Sequence, residues 1–347
     1  MNTPLLYVGT ADGLHMLRGD SERRRWSPAH RALAGHDVSA LGWDMRAPHR
    51  LLAGTAAGAL LRSDDGGTSW TSAGAGLPQA KIWSIVADPH MPPGAFYAGV
   101  DGGHLFHSDD GGASWRELPG LRDLPDAQLW WGPFGPAIFH SILPVADQPG
   151  RIFAGLSVVG VLASDDGGAS WRDATTNIPR MPHDHTTDRL PELADVHKLA
   201  LHPRGRLYAT THYGTFRSDD GAQSWQSIGG GLPFEMTRPL ALHPRDPDAV
   251  WVICHEDTPD AYLPVIRGQL VVHRSRDGGR SWEALSAGLP VQESCAVLRE
   301  ALDIDTAEPC GLYLGTNRGQ LFASADEGQS WQEIGAVGSS VRVVRVR

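Results

Sequence analysis

Ser63-Asp64-Asp65-Gly66-Gly67-Thr68-Ser69-Trp70 decides how this chain is read. The stretch returns five more times, starting at Ser108, Ser164, Ser218, Ser275 and Ser324 and ending on Trp115, Trp171, Trp225, Trp282 and Trp331. The shared pattern is Ser-x-Asp-x-Gly-x-Ser-Trp, and only the copy with Ala222 departs from it. We refer to each copy as a box. Recurrence at about fifty residues is the mark of a repeat architecture. Apolar, strand-like residues precede each box and the Trp opens another strand, so the box reads as a hairpin turn. Its Asp can accept backbone N–H bonds across the turn. Its glycines allow the positive φ of a tight hairpin. Its Trp carries a large ring into the space between sheets. The box carboxylates are therefore expected to staple turns rather than to catalyse.

The pattern resembles the Asp-box, or BNR, repeat. Over nearly its whole length the chain is similar to Asp-box β-propellers, a group that includes sialidases, sortilin-type receptors and photosystem assembly factors. The resemblance implies a propeller with the boxes on one face and a ligand pocket on the other. It implies much less about function, because one fold hosts many sites.

Working outward from the boxes gives an all-β, seven-bladed propeller as a single domain over 1–347. Blade 1 takes Leu5–Gly9, Leu14–Leu17 and Trp26, and lacks a first strand. The alternating tail Val341–Val346 is expected to supply it and close the ring. Blade 7 is expected to open with a first strand over Ala296–Leu302, and blade 6 to place its third strand at Leu270–His273. Closure removes open sheet edges. The 41 Gly and 25 Pro suit many short strands and turns.

The formal charge of −10 and the lack of a dense Lys/Arg run argue against a nucleic-acid partner. Three cysteines do not make a disulfide framework. No signal peptide or membrane-length apolar run is visible, so no membrane partner and a cytoplasmic location are the expectation.

On the pocket face three connections are long: 116–137, with Trp130 and Trp131; 172–195, with His183 and His185; and 255–268, with Glu256. Long loops on a rigid scaffold concentrate function. His140 and His197 begin first strands, while His212 and His255 end second strands. With His183 and His185 they make six imidazoles expected on one sector, over blades 4 to 6. Imidazole is the commonest metal ligand and the commonest acid or base near neutral pH. The six could hold one divalent metal ion, with Asp184, Asp195 and Glu256 as ligands or supports. They could equally line a polar, watered funnel. His90, His202 and His243 lie on the box face as turn residues.

The expected ligand is a small molecule or saccharide, acted on by a hydrolase or lyase type of enzyme. His197, His212, Arg238 and Glu256 are the catalytic candidates. Trp130, Trp131 and Arg318 are the substrate-binding ones, by stacking and by pairing with an anion. The bland alternatives are a loop folded on its own tryptophans and arginines that balance local acids. A Cys254–His255 nucleophile is conceivable, but buried strand cysteine is the commoner case. The other class is a non-catalytic scaffold that binds a protein partner through the same face. Sialidase activity is disfavoured: the Arg-Ile-Pro segment of sialidases is missing, and no motif matches Arg238, Arg318 and Arg342 to their arginine triad.

Overall fold

The structure is a computed structural model. It describes residues 3–124, 127, 130–132, 135–180, 194–256 and 265–347. Seven four-stranded antiparallel sheets make a seven-bladed β-propeller, with two additional two-stranded sheets. Among the described residues there is no α-helix, and the one helical turn is a short 3-10 segment, Pro119–Leu121. None is long and apolar enough to cross a membrane.

Blade 1 closes as expected. Val341–Val346 pairs antiparallel with Leu5–Thr10, with Val8 opposite Val344 and Leu6 opposite Val346. Gly13–Gly19 and Trp26–Ala32 complete that sheet. Blade 3 shows the regular pattern: Ile82–Ala87, Phe96–Val100, His104–Ser108 and Arg116–Glu117, in that order across the sheet.

By internal contact density the chain divides into two compact units. One comprises Met1–Val38, Ala200–Arg217 and Ser227–Arg347; the other comprises Ser39–Leu199 and Ser218–Gln226. The first unit has its core around Trp251, Tyr313, Phe322 and Val344, all nearly inaccessible to solvent. In the second unit Phe96 and Ile82 centre one cluster, and Phe139 and Trp171 another.

The boxes fold as their composition dictates. Ser63 Oγ donates to Asp65 Oδ1 at 2.8 Å and accepts the Gly67 N–H at 2.8 Å. Asp65 Oδ1 accepts the N–H groups of Thr68 and Ser69, both at 2.9 Å, and Ser69 Oγ donates to Oδ2 at 2.6 Å. A carboxylate that accepts several such bonds favours its charged form. The hydroxyl and then the N–H of Ser69 accordingly hold Asp65 far below the usual carboxylate range. Asp220 and Asp277 lie at about 2 for the same reason, set by Ser224 and Ser281. Trp115, Trp171, Trp225 and Trp331 are buried. Trp282 reaches the preceding blade, where its Nε1 donates to the Ile228 carbonyl at 2.8 Å.

A second repeated device is a glycine near the end of the second strand. An added Cβ on Gly99 would stand 2.3 Å from Phe139 Cβ, on the first strand of blade 4. Gly54 meets Ile82 in the same way at 2.6 Å, and Gly315 meets Val341 at 2.5 Å. The missing side chain lets the next blade's first strand come close.

Two boundaries differ from expectation. The first strand of blade 7 is Leu302–Ile304, not 296–302. Val291–Cys295 instead pairs with Ile266–Gln269 in a separate two-stranded sheet. The chain then turns, with Ala301 N–H on the Leu298 carbonyl at 2.9 Å and Ala296 N–H capped by Asn317 Oδ1 at 2.8 Å. The third strand of blade 6 is Val272–Ser275.

Candidate functional site

In the second unit the site is built on the starts of first strands. His197 is the second residue of Val196–Leu201 and is fully buried. Its Nε2 lies 3.3 Å from Asp195 Oδ2, whose side chain is 14% exposed. The carboxylate precedes the strand by one residue and the imidazole follows its first residue, so both side chains leave the strand on the same side. This is a His–carboxylate pair reachable from solvent only through the Asp.

His140 holds the equivalent place on Phe139–Pro144 and is also buried. Its ring meets the Trp83 ring edge-on, with centroids 5.8 Å apart at 86°. The Lys81 ammonium sits 3.4 Å from the centroid of the Trp83 ring. The Trp83 indole N–H donates to the Asp101 carboxylate. His140 is therefore packed in an aromatic, charged cluster of its own.

Trp130, expected to stack on a ligand, is instead half-buried in the apolar cluster of blades 3 and 4. Its ring approaches Gly103, where an added Cβ would stand 3.1 Å from Cε3. Packing the Trp130 ring against the blade removes its apolar area from water, which is favourable. Of Trp131 the backbone is described, in the hairpin Trp131–Gly132 with Gly135–Pro136. His183 and His185 lie outside the described residues.

In the first unit, His212 follows the strand Leu207–Thr211, with its ring 5.8 Å from that of Tyr213. Arg238 is buried in the first strand of blade 6, and its carbonyl accepts from Thr210 Oγ1 at 2.9 Å. Arg318 is exposed in the turn after Leu312–Gly315. Glu256 is one quarter exposed and 3.8 Å from Arg267 Nη1. His255 is fully buried, and its Nε2 accepts the Val297 N–H at 3.3 Å. That lone pair is spent on the backbone, which leaves His255 a structural role through Nε2 instead of a ligand one.

A Cys–His nucleophile does not form at Cys254. Its partner is His273, with Sγ 3.8 Å from Nδ1. Burial pushes the thiol up to about 12 and holds the His273 imidazolium below its ordinary range. Both groups are neutral near pH 7, so no thiolate is on hand.

One group went unseen at the level of sequence. His243, Cys310 and Glu327 place one ligand atom each within 4.8 Å of one another. Three findings argue against a cation there. His243 Nδ1 accepts the N–H groups of Arg245 and Asp246 at 3.1 and 2.9 Å, so the ring proton sits on Nε2, the atom facing Glu327. Burial, then the charges of Glu327 and Asp305, push the Cys310 thiol up to about 12. Arg276 and Arg274 already stand 2.7 and 3.7 Å from Glu327 Oε2. The signal was in the last box. Glu327 stands where the other boxes have Gly66, Gly111, Gly167, Gly221 and Gly278, and it keeps their left-handed backbone at φ 59°.

No protein-family model and no curated protein sequence matches the chain. Solved structures do. A GH74 xyloglucanase from Xanthomonas campestris aligns with TM-score 0.69 and 17% identity over 96% of this chain and 53% of that one. YCF48 bound to D1 peptide aligns with TM-score 0.59 and 14% identity, covering 100% of this chain and 97% of that one. A GH74 enzyme from Niastella koreensis gives TM-score 0.58 and 14% identity over 97% and 65%. The likeness is one of fold. These neighbours are seven-bladed propellers. The chain spans about half the length of the xyloglucanase, 53%.

Proposed function

We propose that this chain is an Asp-box propeller enzyme that binds a small hydroxylated ligand, of the saccharide class, on the face opposite its boxes. The observation that carries this is the Asp195–His197 pair. A buried imidazole 3.3 Å from a carboxylate is a candidate general base, and such a base contributes about 10²–10⁴-fold to a proton transfer. Asp195 would fix the tautomer and balance the imidazolium that forms. A saccharide hydroxyl or a water that reaches the pair past the partly exposed Asp195 would be the proton donor. A GH74 xyloglucanase among the structural neighbours supports the saccharide class.

The same pair fits a divalent ion. Two ligands sharing a tetrahedral ion at 2.0–2.2 Å stand about 3.3–3.6 Å apart, and the Asp195–His197 separation is 3.3 Å. His183 and His185, in the connection that leads into this strand, would supply the other ligands. The ion would act as a Lewis acid toward a bound hydroxyl.

The test is hydrolysis of xyloglucan oligosaccharides across pH, with elemental analysis of protein purified without chelators. We expect a rate limb governed by one imidazole, and its loss in His197→Ala with melting temperature retained. Turnover that is unaffected in His197→Ala overturns the assignment of the base. Stoichiometric metal that survives that substitution overturns the ligand set.

A second reading has its own support. Several charges outside the boxes are already paired, such as Arg342 with Asp37 through two bonds of 2.9 Å, and Asp101 with the Trp83 indole. One structural neighbour was solved with a peptide bound. Binding of peptides without turnover of any glycan favours this reading.

A further inference from the structure

The first unit holds a half-open cleft of about 470 Å³ between the outer strands of blades 7 and 1. It is walled by His15 and Leu17, by Pro28 and Arg31, and by Ile334 and Ala336. The reason lies in strand length. The fourth strands of blades 2 to 6 have two or three residues each. Those of blades 7 and 1, Gln332–Ala336 and Trp26–Ala32, have five and seven. Each also carries a register shift against its neighbour, between Leu321 and Phe322 and between Met16 and Leu17. The second shift leaves Ala29 unpaired, between the His30–Met16 and Pro28–Leu17 pairs. Bulges bend the strand that carries them. Two long, bent outer strands thus stand apart and leave a cleft.

The chemistry of the walls selects an occupant. The volume falls within the range of about 300–1,000 Å³ typical of small-molecule sites. An extended peptide adding to the outer strand is disfavoured, because Pro28 offers no N–H. The Arg31 guanidinium is already closed on Asp12, at 2.9 Å to Oδ2 and 3.3 Å to the carbonyl. His15 Nε2 is buried without a hydrogen-bond partner among the described residues. Burial, and next the Arg31 charge, lower the pKa of His15 against the pull of Asp12, so the ring is neutral near pH 7.

We propose that this cleft is a binding site for an uncharged small molecule with an apolar, ring-sized body and one hydrogen-bonding group met by His15. The body would cover Leu17, Pro28 and Ile334. The closed Arg31–Asp12 pair presents no unpaired charge, so an ionic ligand would lose its hydration without recompense.

The test uses the full chain and three fluorinated probes followed by fluorine NMR: para-fluorophenol, para-fluorobenzoate and para-fluorobenzylammonium. We expect saturable one-to-one binding of the phenol, at least about tenfold tighter than either ion. Ala336→Trp, or Ala29→Trp from the opposite wall, should abolish it by filling the cleft. Both positions are exposed, so a folded protein is expected from at least one. His15→Phe should weaken it several-fold with the apolar wall retained. No saturable binding, binding that survives both tryptophan variants, or preference for an ion overturns the proposal. Because Asp195 and His197 are untouched by these variants, glycan turnover should be unchanged, which separates this test from that of the reading above.

Discussion

Gly99→Ala should destabilise the protein even though alanine suits its backbone. With no clash, a Gly→Ala change in an L-compatible conformation stabilises by about 0.4–1 kcal/mol, through the unfolded chain. Here the new Cβ would stand 2.3 Å from Phe139 Cβ, 2.8 Å from its Cγ and 2.7 Å from Ser84 Oγ. Carbon atoms prefer about 3.5–4.0 Å. A Cβ cannot swing aside, so strand Phe139–Pro144 must move outward by about an ångström. Overpacking of this kind costs about 1–3 kcal/mol. The clash wins, for a net loss of about 1–2 kcal/mol. For 347 residues the unfolding entropy near the midpoint is about 0.7 kcal/mol/K, so the melting temperature should fall by about 1–3 °C. Gly230→Ala is the matched control: an added Cβ there meets nothing within 4 Å. It should raise stability by about 0.4–1 kcal/mol. Guanidinium denaturation with calorimetry measures both. Effects of the same sign would refute the close-approach argument.

Deleting 341–347 should strip Leu5–Thr10 of its partner strand and collapse the yield of soluble folded protein; a truncated chain with unchanged melting would refute closure. Acid stability should report the boxes. Burial works against the ionised form of Asp110, but the Ser114 and Ser108 bonds overcome it and bring its pKa from 3.8 to about 2. A depressed pKa means stability that is present above pH 4 and lost as pH falls toward 2. The full shift corresponds to about 2.5 kcal/mol, which exposure cuts to about 1 or less. Asp110→Asn should therefore flatten the acid limb of the stability curve, and an unchanged limb would sink the staple role.

The parts legible in the sequence are those whose physics is local. Ser63, Asp65 and Ser69 satisfy one another within seven residues, so six copies announce six hairpins. The alternating tail was readable because a lone strand needs a partner. The first strand of blade 7 was not, since its start depends on Val291–Cys295 finding Ile266–Gln269 instead. Trp130 and His255 each left two readings open in the sequence, for a shared reason. Residue type fixes what a side chain can do, but only packing decides whether the apolar ring or the imidazole lone pair is already used. The separation of 3.3 Å between Asp195 and His197 belongs to the fold alone.

Leu5 and Arg347 lie side by side. The Leu5 N–H meets the Arg347 carbonyl at 2.8 Å, and the Arg347 N–H meets the Leu5 carbonyl at 2.9 Å. A pulling force applied at these two residues would part the two strands like a zipper, loading one bond pair at a time rather than all together. Such a seam yields at low force, though it resists heat with the whole sheet behind it. Splicing the two ends and opening the chain at a box turn would move the weak point elsewhere without changing any contact in blade 1.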